Sequence, residues 1–575
     1  MSGTHDMTYS ANGRVRRTLA SIFPPAEWLP RYQASWLTYD VVAGVTLAAY
    51  AIPVSLAYAS LAGLPPHYGI YCYLVGGIGY VLFGTSKQLA VGPTSAIAML
   101  VGTTVAGMAE EDPARWAAIA SLTALVVAAF GGLAWLLRLS GLVNFISETI
   151  LIGFKAGAAL TIALTQLPKL FGVPGGGDHF FERTWMLLGQ LGQTNLFVLS
   201  FGLTALALLL LGDRFFPGRP VALLVVAAAI IVMSLTALAA RGVATVGAIP
   251  AGLPDFAWPS LRPRDVDGVL PLAAACFLLA YVEGVSAART LAEKHGYKIN
   301  PRQELLALGA ANLAAAFSHG FPVAGGLSQS AVNDKAGART PLSLVFASAA
   351  IAGCLLFFTG LLRNLPSVVL AAIVLVAVRG LFNVAALRHL WRVSRLEFGI
   401  AMVALVGVLL LGILKGVLLA VVVSVLMLLT TAARPNVAFL GRIPGTRRFS
   451  DLQRHPDNEP IENTLIFRVE ASLLYFNVDH VRNCVAAKIS ETDSLRLVVC
   501  DLSNSPYVDV AGAAMLSALH KDLGTRGIQL RIVEAHARTR DLLRAEGLEE
   551  HVGYLGRHIS VEQAIVEFAE CEQLA

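Results

Sequence analysis

The sequence predicts a mostly helical membrane protein that ends in a small α/β domain. Three observations carry this. Apolar runs recur from about Val41 to about Thr431, and 56% of the 575 residues are hydrophobic against 14% charged, where a soluble domain carries about 25% charged residues. Two of the apolar stretches are broken at corresponding places in the two halves of that region. After Arg434 the composition turns into that of a soluble domain.

Taken in order, the runs resolve into fourteen segments, near 40–60, 68–85, 93–108, 115–138, 143–168, 195–212 and 220–240, then 268–291, 304–318, 326–336, 341–362, 366–380, 397–412 and 414–431. Most can cross a hydrocarbon core about 30 Å thick. The segments beginning at Pro93 and Gly326 are too short to span alone, and their surroundings say why. Gln88-Leu-Ala-Val-Gly-Pro-Thr-Ser-Ala-Ile-Ala98 and Gly320-Phe-Pro-Val-Ala-Gly-Gly-Leu-Ser-Gln-Ser-Ala-Val332 are each a short extended stretch, broken by Gly or Pro, that restarts as a helix rich in small and hydroxyl residues. Each sits at the third segment of its set of seven, so the two halves look like repeats with a broken helix in each, the pattern that marks a transporter's substrate site.

Charge orients the chain. With the N-terminus inside, the cytoplasmic loops hold Lys87, Arg138, Arg214, Arg219, Lys294, Lys298, Lys335, Arg339, Arg388, Arg392 and Arg395, while outer loops hold Glu110, Glu111, Asp112, Asp178 and Glu182. That is the positive-inside bias. The long outer loop with Arg241, Arg262 and Arg264 departs from it. An even number of spans returns the C-terminal domain to the cytoplasm, and the basic cluster Arg434, Arg442, Arg447 and Arg448 agrees. Such loop cations suffice for the net charge of +5, so nucleic acid is not an expected partner. The expected location is the cell inner membrane, multi-pass, in contact with membrane lipid.

The N-terminal Arg14, Arg16 and Arg17 precede no apolar run before Val41, which argues against a cleaved signal peptide. Cys72, Cys276, Cys354, Cys484, Cys500 and Cys571 show no paired spacing, so neither a disulfide framework nor a zinc site is expected. No Walker A, HExxH or Gly-x-Ser-x-Gly pattern occurs. No enzyme activity and no cofactor are expected. The domain reading is a cytoplasmic segment 1–39, a transmembrane region 40–433, a linker 434–462 and an α/β domain 463–575. In the last, Leu465–Glu470, Leu495–Cys500 and Gln529–Val533 read as strands, and Asn477–Ile489, Val510–Leu523, Ala537–Glu546 and Val561–Glu570 as helices. Alternation with short links is the α/β pattern.

Pro93, Thr94 and Ser95 open the first short helix. Proline fits there because its missing N–H is not needed in the first turn, and the two hydroxyls add donors beside the free backbone N–H groups. Gly325, Gly326, Leu327 and Ser328, with Gln329 after them, open the second. Helix N-termini of this kind present a positive dipole end to an anion. Glu283 lies inside the eighth segment, where a carboxylate is costly and faces a cavity or a partner. Coupling of a proton through it is one reading, and a structural bond to Arg289, Lys335 or a backbone group is the other. Glu148 and Lys155, seven residues apart on one helical face, pair in a cytoplasmic vestibule or reach to the interface. Lys415 reads as an interfacial anchor. Tyr58 and Tyr71 contact substrate or hold a helix contact, and packing is favoured for Tyr71.

Three stretches together resemble the SulP-type anion transporter family, the relatives of prestin. They are Ile52-Pro-Val-Ser-Leu-Ala-Tyr-Ala-Ser-Leu-Ala-Gly-Leu-Pro-Pro-His-Tyr-Gly-Ile-Tyr71 with Phe83-Gly-Thr-Ser86, Ala331-Val-Asn-Asp-Lys-Ala-Gly-Ala-Arg-Thr340, and Asp501-Leu-Ser-Asn-Ser-Pro-Tyr-Val-Asp-Val-Ala-Gly512, which looks like the core of a STAS domain. The resemblance implies seven-plus-seven inverted repeats, a core and a gate domain, elevator-like alternating access and a homodimer. It places the anion between the second half-helix N-terminus and Thr94. Many members carry Arg where this chain has Gln329, which removes a fixed positive charge and keeps the donors. Related bicarbonate transporters use an acidic residue at Glu283 with a hydroxyl one turn later for sodium. That position is Ala287 here, and Ser286 is the substitute. In soluble STAS proteins a phosphorylatable Ser follows the motif Asp, whereas Val510 and Ala511 follow Asp509.

The expected function is secondary transport of a small inorganic or organic anion, sulfate by default, coupled to a proton or run as exchange. Bicarbonate, chloride or dicarboxylate transport with sodium or proton coupling stays open. So do a nucleobase permease on a similar fold and a membrane-anchored regulatory module.

Overall fold

A computed structural model describes residues 23–109, 112–141, 148–177, 179–216, 220–236, 238–259, 265–492, 494–557 and 559–574. Arg14, Arg16, Arg17, Glu110, Glu111, Asp178, Arg219, Arg262, Arg264 and the start of the fifth segment lie outside them. The chain divides into two units, 1–424 and 425–575.

A helix covers each of the fourteen apolar segments, and two amphipathic helices join them. In chain order they are α1 Ala34–Leu61, α2 His67–Phe83, α3 Ser95–Ala109, α4 Pro113–Leu136, α5 Glu148–Phe171, α6 Phe180–Gln190, α7 Leu196–Phe215 and α8 Val221–Leu235. The second eight are α9 Val266–Lys294, α10 Pro301–Phe317, α11 Leu327–Lys335, α12 Leu342–Phe357, α13 Ser367–Arg379, α14 Val384–Val393, α15 Arg395–Leu411 and α16 Ile413–Ala433. Among the described residues six helical stretches are long and apolar enough to cross a bilayer alone, including Ala34–Leu61, Asp267–Lys294 and Leu196–Phe215. The nine-residue α11 rises only about 14 Å, half a bilayer core.

The two sets of eight are repeats in packing as well as in order. Each of α1–α8 corresponds to the helix eight places on, and exchanging the halves maps one contact onto another. α4 packs on α10 as α12 packs on α2; α5 packs on α15 as α13 packs on α7; α1 packs on α12 as α9 packs on α4; α1 packs on α11 as α9 packs on α3. The pairs α2–α10 and α5–α13 map onto themselves. The amphipathic α6 and α14 follow the fifth member of each set. Short strands precede α3 and α11: β1 Val91–Gly92 and β2 Ala324–Gly325 pair antiparallel, with Val91 opposite Gly325 and Gly92 opposite Ala324. An antiparallel pair on the exchange axis is what an inverted repeat requires. Large apolar side chains stay exposed on the outer helices, among them Leu203, Leu208 and Leu211 on α7 and Leu224, Ile231 and Leu235 on α8. Apolar surface of that extent marks a membrane-facing wall.

The C-terminal unit holds a five-stranded sheet in the order β4-β3-β5-β6-β7, with β3 Val437–Arg442, β4 Phe449–Asp451, β5 Thr464–Val469, β6 Leu497–Asp501 and β7 Gln529–Val533. The last three are parallel neighbours and β3 runs against β5. The helices α17 Val478–Ser490, α18 Val510–Gly524, α19 Ala537–Ala545 and α20 Val561–Leu574 cover it. Residues alternate across β5 as a pleat demands: Leu465, Phe467 and Val469 enter one core with α17 and α18, while Ile466 enters the other with Val561 and Ile565. The expected linker 434–462 is corrected here, because β3 and β4 lie within it and belong to the sheet. Asp509 caps α18, accepting from Gly512 N at 2.8 Å, and its other oxygen accepts from Tyr475 N at 2.7 Å.

Candidate functional site

The two half-helices meet end to end because the chain before each of them is held in extended form. Gly326 N donates to Ala90 O at 3.2 Å and continues the β1–β2 pairing. Ser330 Oγ accepts from Ala90 N at 2.8 Å and donates to Gly326 O at 2.7 Å. Asn333 donates to Gln88 O at 3.0 Å. Gly325 is needed for a close approach: a Cβ there would stand 3.0 Å from Gly284 Cα on α9 and 2.9 Å from the Leu89 side chain. The α9 backbone thus passes directly behind the strand crossing, and that brings Glu283 beside the half-helix ends.

A cavity of about 190 Å³ lies at these ends. Its wall includes Tyr50, Val54 and Tyr58 of α1, Pro93, Thr94 and Ser95 at the start of α3, Glu283, Ser286, Ala287 and Thr290 of α9, and Gly326, Leu327, Ser328 and Gln329 at the start of α11. Lys155 of α5 and Ala377, Gly380 and Leu381 at the end of α13 close the other side. All eight residues singled out from the sequence (Tyr58, Thr94, Ser95, Glu283, Gly326, Leu327, Ser328 and Gln329) therefore line one space. Leu327 and Ser328 are exposed to it, while Tyr58, Thr94, Ser95 and Gln329 are buried.

Two donors in this wall have nothing to donate to. Thr94 Oγ1 and Gln329 Nε2 are both buried without a hydrogen-bond partner. A buried donor left unmade costs about 1–3 kcal/mol, and two such open positions face one cavity. Thr94 sits at the first turn of α3, its carbonyl accepting from Ala98 N at 2.9 Å. Gln329 folds back over the first turn of α11: a Cβ on Gly326 would stand 2.5 Å from Nε2.

Among the described residues no hydrogen bond joins Glu283 to Arg289, Lys335 or backbone, and Lys155 shares the cavity wall with it. Lys155 does not pair with Glu148, which is exposed at the start of α5. Its ammonium is half-buried and supplies the cavity with a fixed positive charge, which the sequence reading placed in a vestibule. Tyr50 and Thr290 were also missed. A signal for both existed in the helical period, since Tyr50, Val54 and Tyr58 recur every fourth residue and Thr290 lies seven residues after Glu283. Tyr71 lies outside the wall, ring to ring with His67 and Tyr68.

The Sulfate permease family profile matches residues 37–404, and a STAS domain profile matches 455–564. A probable sulfate transporter of Mycobacterium tuberculosis (strain CDC 1551 / Oshkosh) is 33% identical over 535 residues, covering 92% of this chain and 96% of that protein. Sulfate transporter 2.2 of Arabidopsis thaliana is 29% identical over 588 residues, covering 97% and 86%. Among solved structures, the murine Solute Carrier 26 family member A9 anion transporter in its inward-facing state superposes with a TM-score of 0.87 at 21% identity, over 99% of this chain and 96% of that one. The transmembrane domain of a cyanobacterial bicarbonate transporter, BicA, superposes with a TM-score of 0.59 at 21% identity, over 69% and 98%.

Proposed function

The chain belongs to the sulfate permease family, multi-pass membrane transporters with a C-terminal STAS domain, and we propose from this that it is a secondary transporter of a small oxyanion, with sulfate as its substrate. One observation supports the reading above all: two opposed half-helix N-termini share a cavity into which buried Thr94 and Gln329 present unpartnered donors. Backbone N–H groups, two dipole ends and the Lys155 ammonium all favour negative charge there. Relatives named as sulfate transporters support sulfate as that substrate. Gln329 leaves the first turn of the half-helix uncharged, so among the described residues the cation in the wall is Lys155 of α5, across the cavity.

Glu283 couples a proton to the anion in this proposal. An ionised carboxylate beside the bound anion repels it, and a protonated one does not. Proton and anion therefore enter together. Ala287 offers no hydroxyl for a sodium site one turn beyond Glu283, which favours the proton. Helices α1–α4 with α9–α12 form the moving core and α5–α8 with α13–α16 the gate, in an elevator-like exchange of access. We propose a homodimer in the cell inner membrane, with the N-terminus and STAS domain cytoplasmic.

The test is uptake of radiolabelled sulfate by the purified full chain in liposomes, with and without an imposed pH gradient, competed by bicarbonate, chloride and fumarate. Saturable sulfate uptake that rises with an acidic outside supports the proposal. Absence of saturable flux for every anion overturns it.

A further inference from the structure

A second, larger cavity of about 470 Å³ opens at the end of the bundle where the chain enters α1, leaves α2, passes from α9 to α10 and enters α12. It shares no wall residue with the cavity at the half-helices. Arg31, Lys87, Lys298 and Arg339 reach it from four separate stretches of chain. One carboxylate faces them, Glu27, which pairs with Arg31 at 3.5 Å in an open position. Lys87 lies 5.0 Å over the Tyr297 ring and Arg339 5.1 Å over the Tyr39 ring, so these two cations are supported by aromatic faces and pair with no carboxylate among the described residues. The positive-inside bias alone scatters cations over many loops; here they converge on one walled space.

The inner wall adds a donor. Trp28 lines the cavity, and its Nε1 is buried with no hydrogen-bond partner. Next in sequence to the wall residues Trp28 and Trp36, Leu29 and Leu37 are exposed at 54% and 45%, as is Tyr39 at 50%, the ring under Arg339. Basic side chains above exposed apolar and aromatic ones fit the level of lipid headgroups.

We propose that this cavity seats the phosphate headgroup of an anionic membrane lipid, with Lys87, Lys298, Arg339 and Trp28 Nε1 on the phosphate oxygens and the acyl chains over Leu29 and Leu37. The two cavities are separate, so the lipid and the transported anion do not share a seat.

Native mass spectrometry of the purified full chain tests this, with phosphatidylglycerol or phosphatidylcholine of matched acyl chains added to delipidated protein. Wild type retains phosphatidylglycerol preferentially. The Lys87→Gln/Lys298→Gln double variant loses about thirtyfold of that preference, roughly 1 kcal/mol for each lysine, and saturable uptake remains. Millimolar inorganic phosphate leaves the lipid in place. Equal retention by wild type and the double variant overturns the site, and displacement by inorganic phosphate overturns the lipid as its occupant in favour of a soluble anion. Should the double variant fail to fold, brominated phosphatidylglycerol on the intact chain decides. Quenching that disappears in Trp28→Phe supports the site, and quenching unchanged in that variant refutes it.

Discussion

Asn312 meets the backbone of Val323 with both ends of its amide. Its Oδ1 accepts from Val323 N at 2.9 Å and its Nδ2 donates to Val323 O at 3.0 Å. The side chain, fully buried on α10, replaces the strand neighbour that the residue before β2 lacks. We expect Asn312→Leu to leave both Val323 groups unsatisfied, at about 1–3 kcal/mol each. A lower thermal midpoint together with loss of sulfate uptake is the outcome to measure, and Asn312→Asp, which keeps the acceptor, sits between the two.

Thr94 and Gln329 are read as donors to the anion. Thr94→Val and Gln329→Leu keep the volume and remove the donor. A hydrogen bond to a charged group contributes about 1.5–3 kcal/mol, so KM for sulfate should rise by one to two orders of magnitude with the thermal midpoint unchanged or raised. Gln329→Arg adds a charge at the same spot and should tighten sulfate relative to monovalent anions, measured by competition.

Glu283→Gln removes the charge without changing the shape. Accumulation driven by an imposed pH gradient should vanish while sulfate–sulfate exchange continues. An unaltered response to pH in that variant counts against a proton role.

Lys155→Gln removes the cation on the gate side. Uptake should slow most at low ionic strength and converge on wild type at high salt, since screening acts within about 10 Å at 0.1 M. A salt-independent loss would instead point to packing.

His520 and His551 in the C-terminal unit stack with ring centroids 5.6 Å apart. Burial, then the His551 and Lys521 charges, hold the His520 ring below its ordinary range. Its neutral form is therefore favoured by folding. The unfolded chain binds the extra proton first, so this contribution is present above about pH 6.5 and is lost as pH falls from there through the lower folded value. Amide exchange in α18, corrected for intrinsic rates, should be faster at mildly acidic than at neutral pH, and His520→Gln should flatten the difference.

Much of this architecture is legible in the sequence, because a bilayer leaves few options. A backbone in hydrocarbon must satisfy its own polar groups, so apolar runs name helices, and Gly or Pro inside them names breaks. What escaped is non-local or lies on one face only. The amphipathic α6 and α14 bury a single stripe and have no apolar run to announce them. β3 follows the basic Arg434 and ends on Arg442, and it joins the domain's sheet by pairing with β5 some thirty residues later. Lys155 could not be assigned from α5 alone, since its place opposite Glu283 comes from the packing of α5 and α13 against the other helices. Thr94 and Gln329 were legible as helix-start residues, whereas the emptiness of their hydrogen-bonding positions was not.

The pairing of Val91 with Gly325 has a mechanical outcome. Two palms riveted at the wrist cannot part to let go, because separating them would strip hydrogen bonds in a medium with no water to replace them. In the proposed exchange of access, whatever rests between them is carried as luggage on a single stiff trolley and handed over by what slides past it.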